Sequence, residues 1–185
     1  MQAQDFAKFV ASQQDAAQDP TNGAPIDWAE VRDQWLKDLD SLHSQIIDFL
    51  KEFAAAGSIR YSFTDVRLTE ENIGTYIARG MDIGIGRQHV FLEPIGTLLI
   101  GVSGRVDAVG STGRAQLVLV DERVKSAADL ISVGVGAKGR ALPLAPPAKQ
   151  PVLWVWKIVS REARRSFVEL DKESLFELLM EISGA

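Results

Sequence analysis

Apolar and polar residues alternate in two runs on either side of Gly110 and Gly113, and this alternation predicts a β-hairpin. The runs read TLLIGVSGRVDAVG and GRAQLVLVD. With Ser111 and Thr112 as the loop, Asp107 faces Gln116, and one face of the hairpin is apolar because strand side chains alternate. The predicted apolar face consists of Leu98, Ile100, Val102, Val106, Ala108, Ala115, Leu117 and Leu119.

A long amphipathic helix is predicted between Asp27 and Gly57. Asp27 is a good helix N-cap, Gly57 is a good stop, and the apolar residues between them recur every three or four positions. This apolar stripe consists of Trp28, Val31, Trp35, Leu39, Leu42, Ile46, Phe49 and Phe53. His43 lies off the stripe beside Asp40, so the pattern predicts a solvated surface residue there.

Shorter patterns predict the remaining strands. Alternation at 59–63 indicates a strand, and glycines in 73–85 favour a strand over a helix there. The sequence Glu93-Pro94-Ile95-Gly96 matches a type I turn. Val152–Val159 is apolar at almost every position, as in a central strand, which predicts that Trp154 is largely buried.

The chain is predicted to end in a helix that is capped by Asp171 and stopped by Gly184. The combined pattern predicts an α+β fold, in which an antiparallel meander of five to seven strands is covered on one face by the long helix and the C-terminal helix. Residues 1–26 are predicted to form an N-terminal helix and linker, and 27–185 a single domain.

Composition and charge restrict the function classes. The chain has 185 residues, no cysteine and two histidines, which excludes thiolate metal sites and predicts a cytoplasmic protein without a signal or membrane segment. Net charge is −5, with −6 in residues 1–56 and +1 in 57–185, so the helical half is acidic. This charge distribution argues against nucleic acid and favours a protein partner; a homo-oligomer is compatible with it.

Glycine and proline are frequent in the irregular segment 122–150, which predicts a flexible connection. Within it, Gly134, Gly136 and Gly139 match a dinucleotide fingerprint, but Pro143 follows too closely for the helix that this motif requires. A looser phosphate-binding loop would use the same glycines with Lys138 and Arg140. No cofactor is predicted.

Two short segments together resemble the core of PD-(D/E)xK nucleases, namely Arg105-Val106-Asp107 and Asp121-Glu122-Arg123. The resemblance covers about twenty residues and implies that Asp107 and Asp121 bind a divalent metal. It departs from the family pattern at Arg123, where the family has a lysine, and arginine stays protonated.

The predicted hairpin register places Asp107 and Asp121 on opposite faces, about 17 Å apart along the strands, which is too far for one metal ion. The alternative that follows is an exposed ion pair of Asp107 with Arg105 or Arg114, with a contribution of about 0–1 kcal/mol.

Two function classes follow from these observations. The first is a non-enzymatic binding or interaction protein without catalytic, metal-binding or cofactor-binding residues. The alternative is a metal-dependent phosphodiesterase of the nuclease type, in an intact or a degenerate form, that uses Asp107, Asp121 and Arg123.

Overall fold

Two helices and seven strands form the part of the chain that the computed structural model describes, namely residues 26–97, 102–126, 129, 152–160 and 166–184. Among these residues, no helix is long and apolar enough to cross a membrane. In chain order the elements are α1 (Trp28–Ala55), β1 (Ile59–Glu70), β2 (Gly74–Ile85), β3 (Gln88–Gly96), β4 (Gly104–Val109), β5 (Arg114–Asp121), β6 (Trp154–Val159), β7 (Phe167–Glu169) and α2 (Lys172–Ser183).

The strands form one antiparallel meander in which each strand pairs with the next along the chain. The predicted register of β4 and β5 is confirmed, since Asp107 faces Gln116 and the Gly110 N–H donates to the Gly113 carbonyl at 2.9 Å. The α+β class and the meander are therefore as the sequence predicts.

Both helices pack on the same face of the sheet, and the main core lies between them. Trp35 of α1 packs directly on Gly104 of β4, where a Cβ atom would lie 2.2 Å from the indole ring. The predicted apolar face supplies Val106, Ala108, Ala115, Leu117 and Leu119 to this core. Val102 differs from the prediction, because it packs with Val118, Val120 and Val124 in a smaller cluster.

The turn between β4 and β5 caps the C-terminus of α2. The Thr112 N–H donates to the Ile182 carbonyl at 3.0 Å, and the Ser111 hydroxyl donates to the Ser183 carbonyl at 2.8 Å. The Thr112 hydroxyl also donates to the Glu181 carbonyl at 3.0 Å. Carbonyls in the last turn of a helix have no partner within the helix, so the turn satisfies three of them. Gly110 permits the approach, because a Cβ atom there would lie 2.2 Å from the Ile182 oxygen.

The predicted turn at Glu93-Pro94-Ile95-Gly96 is wrong, because β3 continues through it to Gly96. Pairing between β2 and β3 ends at Met81 and Leu92, so Pro94 has a strand neighbour on only one side. Proline is accepted in a sheet where its missing N–H is not required for pairing.

Trp154 is not buried as predicted, because 46% of it is exposed, and Leu153 before it is also exposed. The buried tryptophan of β6 is Trp156, whose indole N–H donates to the Asp38 carbonyl of α1 at 3.3 Å. The apolar composition of Val152–Val159 does not distinguish the two positions, since only the second lies under α1.

The β1–β2 hairpin extends beyond the rest of the sheet. In β2, Met81 and Ile83 are buried in the core, whereas towards the hairpin end the buried positions are Tyr76 and Ala78, which have the opposite parity. The change occurs where β2 ceases to pair with β3. Two-stranded ribbons twist more strongly than wide sheets, and the twist turns the other face of the hairpin inward.

Candidate functional site

One edge of the sheet is formed by β1, a strand of 12 residues that pairs with β2 and with no other strand of the described chain. From residue 60 to residue 65 every side chain is exposed, on both faces of the strand. An exposed edge of this length presents a row of backbone N–H and C=O groups that can pair with another chain.

The registers show which backbone groups of β1 point outward. In an antiparallel ladder, residues bonded to one neighbouring strand alternate with residues bonded to the other. The Gly110–Gly113 bond places the even-numbered residues of β4 towards β5, and following the pairings back to β2 places its even-numbered residues towards β1. In β1 the even-numbered residues therefore bond to β2, and odd-numbered residues such as Phe63 and Asp65 direct their backbone groups outward.

An aromatic pair, Tyr61 and Phe63, lies along this edge, with ring centroids 6.3 Å apart and about 40% of each residue exposed. The Arg79 guanidinium of β2 lies 5.2 Å above the Phe63 ring centroid and donates to Asp40 of α1 at 2.6 Å. Phe63 is thus held by Arg79, which is itself anchored to α1, and Tyr61 packs on Phe63, while both residues remain partly exposed.

His43 lies against Phe63 of this pair and is buried, which corrects the prediction of a surface residue. Only 3% of His43 is exposed, neither ring nitrogen has a hydrogen-bond partner, and the Phe63 ring centroid is 5.3 Å away. The pKa of His43 is lowered from 6.5 to about 4, mainly because burial disfavours the charged ring. The nearby Asp40 carboxylate raises this pKa and the Arg79 guanidinium lowers it, and both effects are smaller than that of burial. His43 is therefore a neutral ring at pH 7.

Two opposite charges lie on the same face of β1, further along the edge. Asp65 and Arg67 are exposed, and neither forms an ion pair with another residue of the described chain. Arg79, which faces Asp65 across the β1–β2 ladder, is instead paired with Asp40. Both charges are therefore available to a partner at the edge.

The end of the hairpin is held by one partly buried carboxylate. Glu70 accepts hydrogen bonds from the Thr97 N–H at 2.8 Å, from the Thr97 hydroxyl at 2.9 Å and from the Tyr76 hydroxyl. Burial and the bond to Glu70 raise the pKa of Tyr76, because both disfavour the phenolate. These bonds attach the far end of β1 to the segment after β3.

Asp107, the first residue of the nuclease-like motif, is buried rather than exposed as the ion-pair interpretation predicts. Asp107 is 1% exposed, and Arg105 donates to both of its oxygens, at 2.7 and 2.8 Å. Arg114 lies further away, at 3.5 Å. The carboxylate is thus neutralised by a two-point contact with arginine, the arrangement in which such pairs are strong.

Replacing Asp107 by alanine is accordingly expected to lower the free energy of unfolding by about 2–3 kcal/mol, not by the 0–1 kcal/mol of an exposed pair. The reason is that Arg105 would keep its charge in a largely buried site without its partner. Urea unfolding measures the loss. The double variant Arg105→Met/Asp107→Leu is the control, because removing both charges should restore most of the stability; an equally unstable double variant would contradict this account.

Asp121 and Arg123, the other residues of that motif, form a separate pair. Arg123 donates to Asp121 through its Nε at 2.8 Å, through its backbone N–H at 3.0 Å and through Nη2. These bonds lower the pKa of Asp121 to about 2. Asp121 faces Trp154 of β6, whereas Asp107 faces Gln116 of β5, so the structure does not bring the two carboxylates together.

Metal binding tests the nuclease hypothesis directly. No group of three or more metal-ligating side chains exists among the described residues, and both carboxylates are already held by arginine. We expect titration calorimetry with Mg²⁺ or Mn²⁺ to show no binding heat, and we expect no cleavage of single- or double-stranded DNA or RNA. Metal-dependent cleavage that disappears in both Asp107→Ala and Asp121→Ala would contradict this expectation.

The candidate phosphate-binding loop lies outside the described residues; it consists of Gly134, Gly136, Lys138, Gly139 and Arg140. Residues 1–25 of the predicted N-terminal helix and linker, and most of the irregular segment 122–150, also lie outside the described residues. The open edge was not identified from the sequence, although one signal for it exists. Asp65 and Arg67 interrupt a strand pattern with charge, and charged side chains are typical of edge strands.

The fold and the edge define an α+β protein built on an open antiparallel meander. Comparison with family models, with curated proteins and with solved structures finds no match to this chain.

Proposed function

We propose that this protein is a non-enzymatic interaction protein, and that the edge of β1 is its binding surface. The observation that supports the proposal is the 12-residue strand with exposed side chains on both faces and outward backbone groups at alternate positions. The partner is an extended protein segment that adds a strand to the sheet, since main-chain hydrogen bonds give affinity in this mode.

The surroundings of the edge supply contacts for the side chains of such a segment. Tyr61 and Phe63 provide aromatic surface, and aromatic side chains contribute strongly to protein interfaces because they bury a large area with few rotatable bonds. Asp65 and Arg67 provide one charge of each sign. Alternate side chains of an added strand would face these residues, which gives the site selectivity.

Hydrogen exchange measured by NMR tests whether the edge is open. In a dilute sample of the isolated chain, the amides of Phe63, Asp65 and Arg67 should exchange fast, because their N–H groups point outward. The amides of Thr64 and Val66 should exchange slowly, because they bond to β2. Equal protection of both sets at high dilution would show that the edge is covered by the chain itself, and the proposal would then be wrong.

A proline substitution tests whether the edge binds the partner. Asp65→Pro removes an outward N–H without removing a bond to β2, whereas Asp65→Ala removes the side chain but keeps the N–H. Recovery of proteins that bind the tagged chain in the native host should fall at least about tenfold for Asp65→Pro and much less for Asp65→Ala. Equal recovery with both variants would refute strand addition at β1.

A further inference from the structure

We infer that the segment added to β1 is the β1 strand of a second copy of this chain, in an antiparallel arrangement centred on Val66. The inference rests on the proposed binding function of this edge and names its partner. Two copies related by a twofold axis present the same surface to each other, so the edge must be complementary to itself. Asp65 and Arg67 carry opposite charges, and they face each other across the two copies in one register only.

Antiparallel geometry limits the possible registers. Residues that face each other across a ladder either both direct their backbone groups towards the partner strand or both direct them away. The outward residues of β1 are odd-numbered, so an odd-numbered residue must face an odd-numbered residue. Every allowed register is therefore centred on a single residue that faces its own copy.

Charge selects among these registers. Centring on Val66 places Asp65 of each copy opposite Arg67 of the other, which forms two opposite-charge pairs across the interface. Centring on Asp65 or on Arg67 places like charges face to face, which is destabilising. The Asp65-centred register also places Arg60 opposite Glu70, but that carboxylate already accepts hydrogen bonds from Thr97 and Tyr76. Centring on Thr64 places both charges opposite aromatic residues and forms no ion pair.

The chosen register also satisfies the backbone. Residues 63, 65, 67 and 69 of one copy face residues 69, 67, 65 and 63 of the other, and all of them are outward positions. Each such pair exchanges two hydrogen bonds, so the interface forms about eight. The two sheets then become one continuous sheet of fourteen strands, twice the seven of one copy.

The exposed faces of β1 do not oppose this arrangement. Asp65 and Arg67 have no other ion-pair partner in the described chain, so pairing with a second copy breaks no existing salt bridge. Phe63 faces Thr69 of the other copy and lies diagonal to Arg67 of that copy. Aromatic rings and guanidinium groups attract each other at such distances, and diagonal neighbours in a sheet are within reach of long side chains.

Sedimentation equilibrium of the wild-type chain and of two single variants is the first test. The wild type should show a reversible monomer–dimer equilibrium. Asp65→Lys and Arg67→Glu should each raise the dissociation constant by about ten- to a hundredfold, because each replaces two attractive pairs with two repulsive ones. A wild type that remains monomeric up to about 500 μM overturns the inference.

Mixing the two single variants is the decisive test. In the register centred on Val66, the introduced lysine of one variant faces the introduced glutamate of the other, and Asp65 of the second faces Arg67 of the first. A mixture of Asp65→Lys with Arg67→Glu should therefore form a heterodimer about as tight as the wild-type dimer, although neither forms a tight homodimer. No recovery on mixing overturns the register.

A double variant with the two charges exchanged is the control for single variants that fail to dimerise because they do not fold. The double variant Asp65→Arg/Arg67→Asp keeps net charge and restores both interface pairs with reversed sign, so it should dimerise like the wild type. Circular dichroism verifies that every variant is folded. A folded double variant that remains monomeric overturns the inference.

The outcomes separate this inference from the proposed function. In one outcome the wild type is monomeric, its outward β1 amides exchange fast, and the Asp65→Pro variant loses other bound proteins. This outcome refutes the dimer but supports binding at the edge. Slow exchange of those amides in a dilute monomer refutes both. Protection of the outward amides that appears only as concentration rises supports both.

Discussion

Replacement of Trp35 by alanine is expected to lower the free energy of unfolding by about 3–5 kcal/mol, the usual range for removing a buried tryptophan. Trp35 is 1% exposed and lies in the contact between α1 and the sheet. Its ring lies against Gly104, and its centroid is 6.2 Å from that of Trp156. Alanine would leave a cavity there that backbone elements on both sides cannot close.

Trp154→Ala is the matched control, because it makes the same chemical change at a residue that is 46% exposed. We expect a loss of about 1–2 kcal/mol there, since roughly half of the ring is already in contact with water. Urea unfolding followed by far-UV circular dichroism measures both losses without relying on tryptophan fluorescence. Similar losses for the two variants would contradict the burial difference. Trp35→Phe provides a measurable value if Trp35→Ala does not fold.

Stability is expected to fall by up to about 3 kcal/mol as pH falls from 6.5 to 4, because His43 is buried as a neutral ring. In the folded chain the pKa of His43 is about 4, and its ordinary value is 6.5. Between these values the unfolded chain binds the proton and the folded chain does not. The contribution of His43 to the free energy of unfolding is therefore fully present above pH 6.5. It is lost as pH falls towards the pKa of His43 in the folded chain.

His43→Leu is expected to abolish this dependence and to raise stability at pH 7 by about 1–2 kcal/mol, since two buried nitrogens without partners are removed. His89→Gln is the control, because His89 is exposed beside Asp82 and its loss should leave the slope in place. Thermal unfolding between pH 4 and pH 7.5 measures the effect. Persistence of the full slope in His43→Leu would show that another group causes it.

Hydrophobic periodicity alone was sufficient for the secondary structure of the best-predicted regions. The stripe from Trp28 to Phe53 predicts α1, and the alternation around Gly110 and Gly113 predicts the hairpin with its register. Both signals succeed because the buried face of a helix or strand must repeat with the period of that element. The register is correct because a slip of one residue would expose the apolar face.

The failures share one cause, which is that periodicity describes an element but not its neighbours. Pro94 matches a turn in sequence, yet it fits a strand because β2 no longer pairs beside it. Trp154 and Trp156 lie on the same face of β6, but α1 covers only the second. His43 lies beside the apolar stripe of α1, and it is buried because β1 places Phe63 over it.

The candidate site shows the same division. The alternation predicts a strand only at 59–63, which includes Tyr61 and Phe63. The charges of Asp65 and Arg67 are a signal of an edge strand, but they do not by themselves assign β1 to the edge of the sheet. Only the pairing order of seven strands leaves β1 with one neighbour. The ladder then decides that Asp65 and Arg67 direct their backbone groups outward, because hydrogen-bonding direction alternates along each strand.

By itself, the sequence determined the α+β class, the long helix and the central hairpin, because these depend on the spacing of apolar residues within single segments. The tertiary structure decided which polar residues are buried and which backbone groups are open. Asp107 is buried with Arg105 on the sheet, and β1 remains unpaired at its outer side. Both outcomes depend on segments far apart in the chain, and the free energy of burying or pairing a group is set by whichever segments surround it.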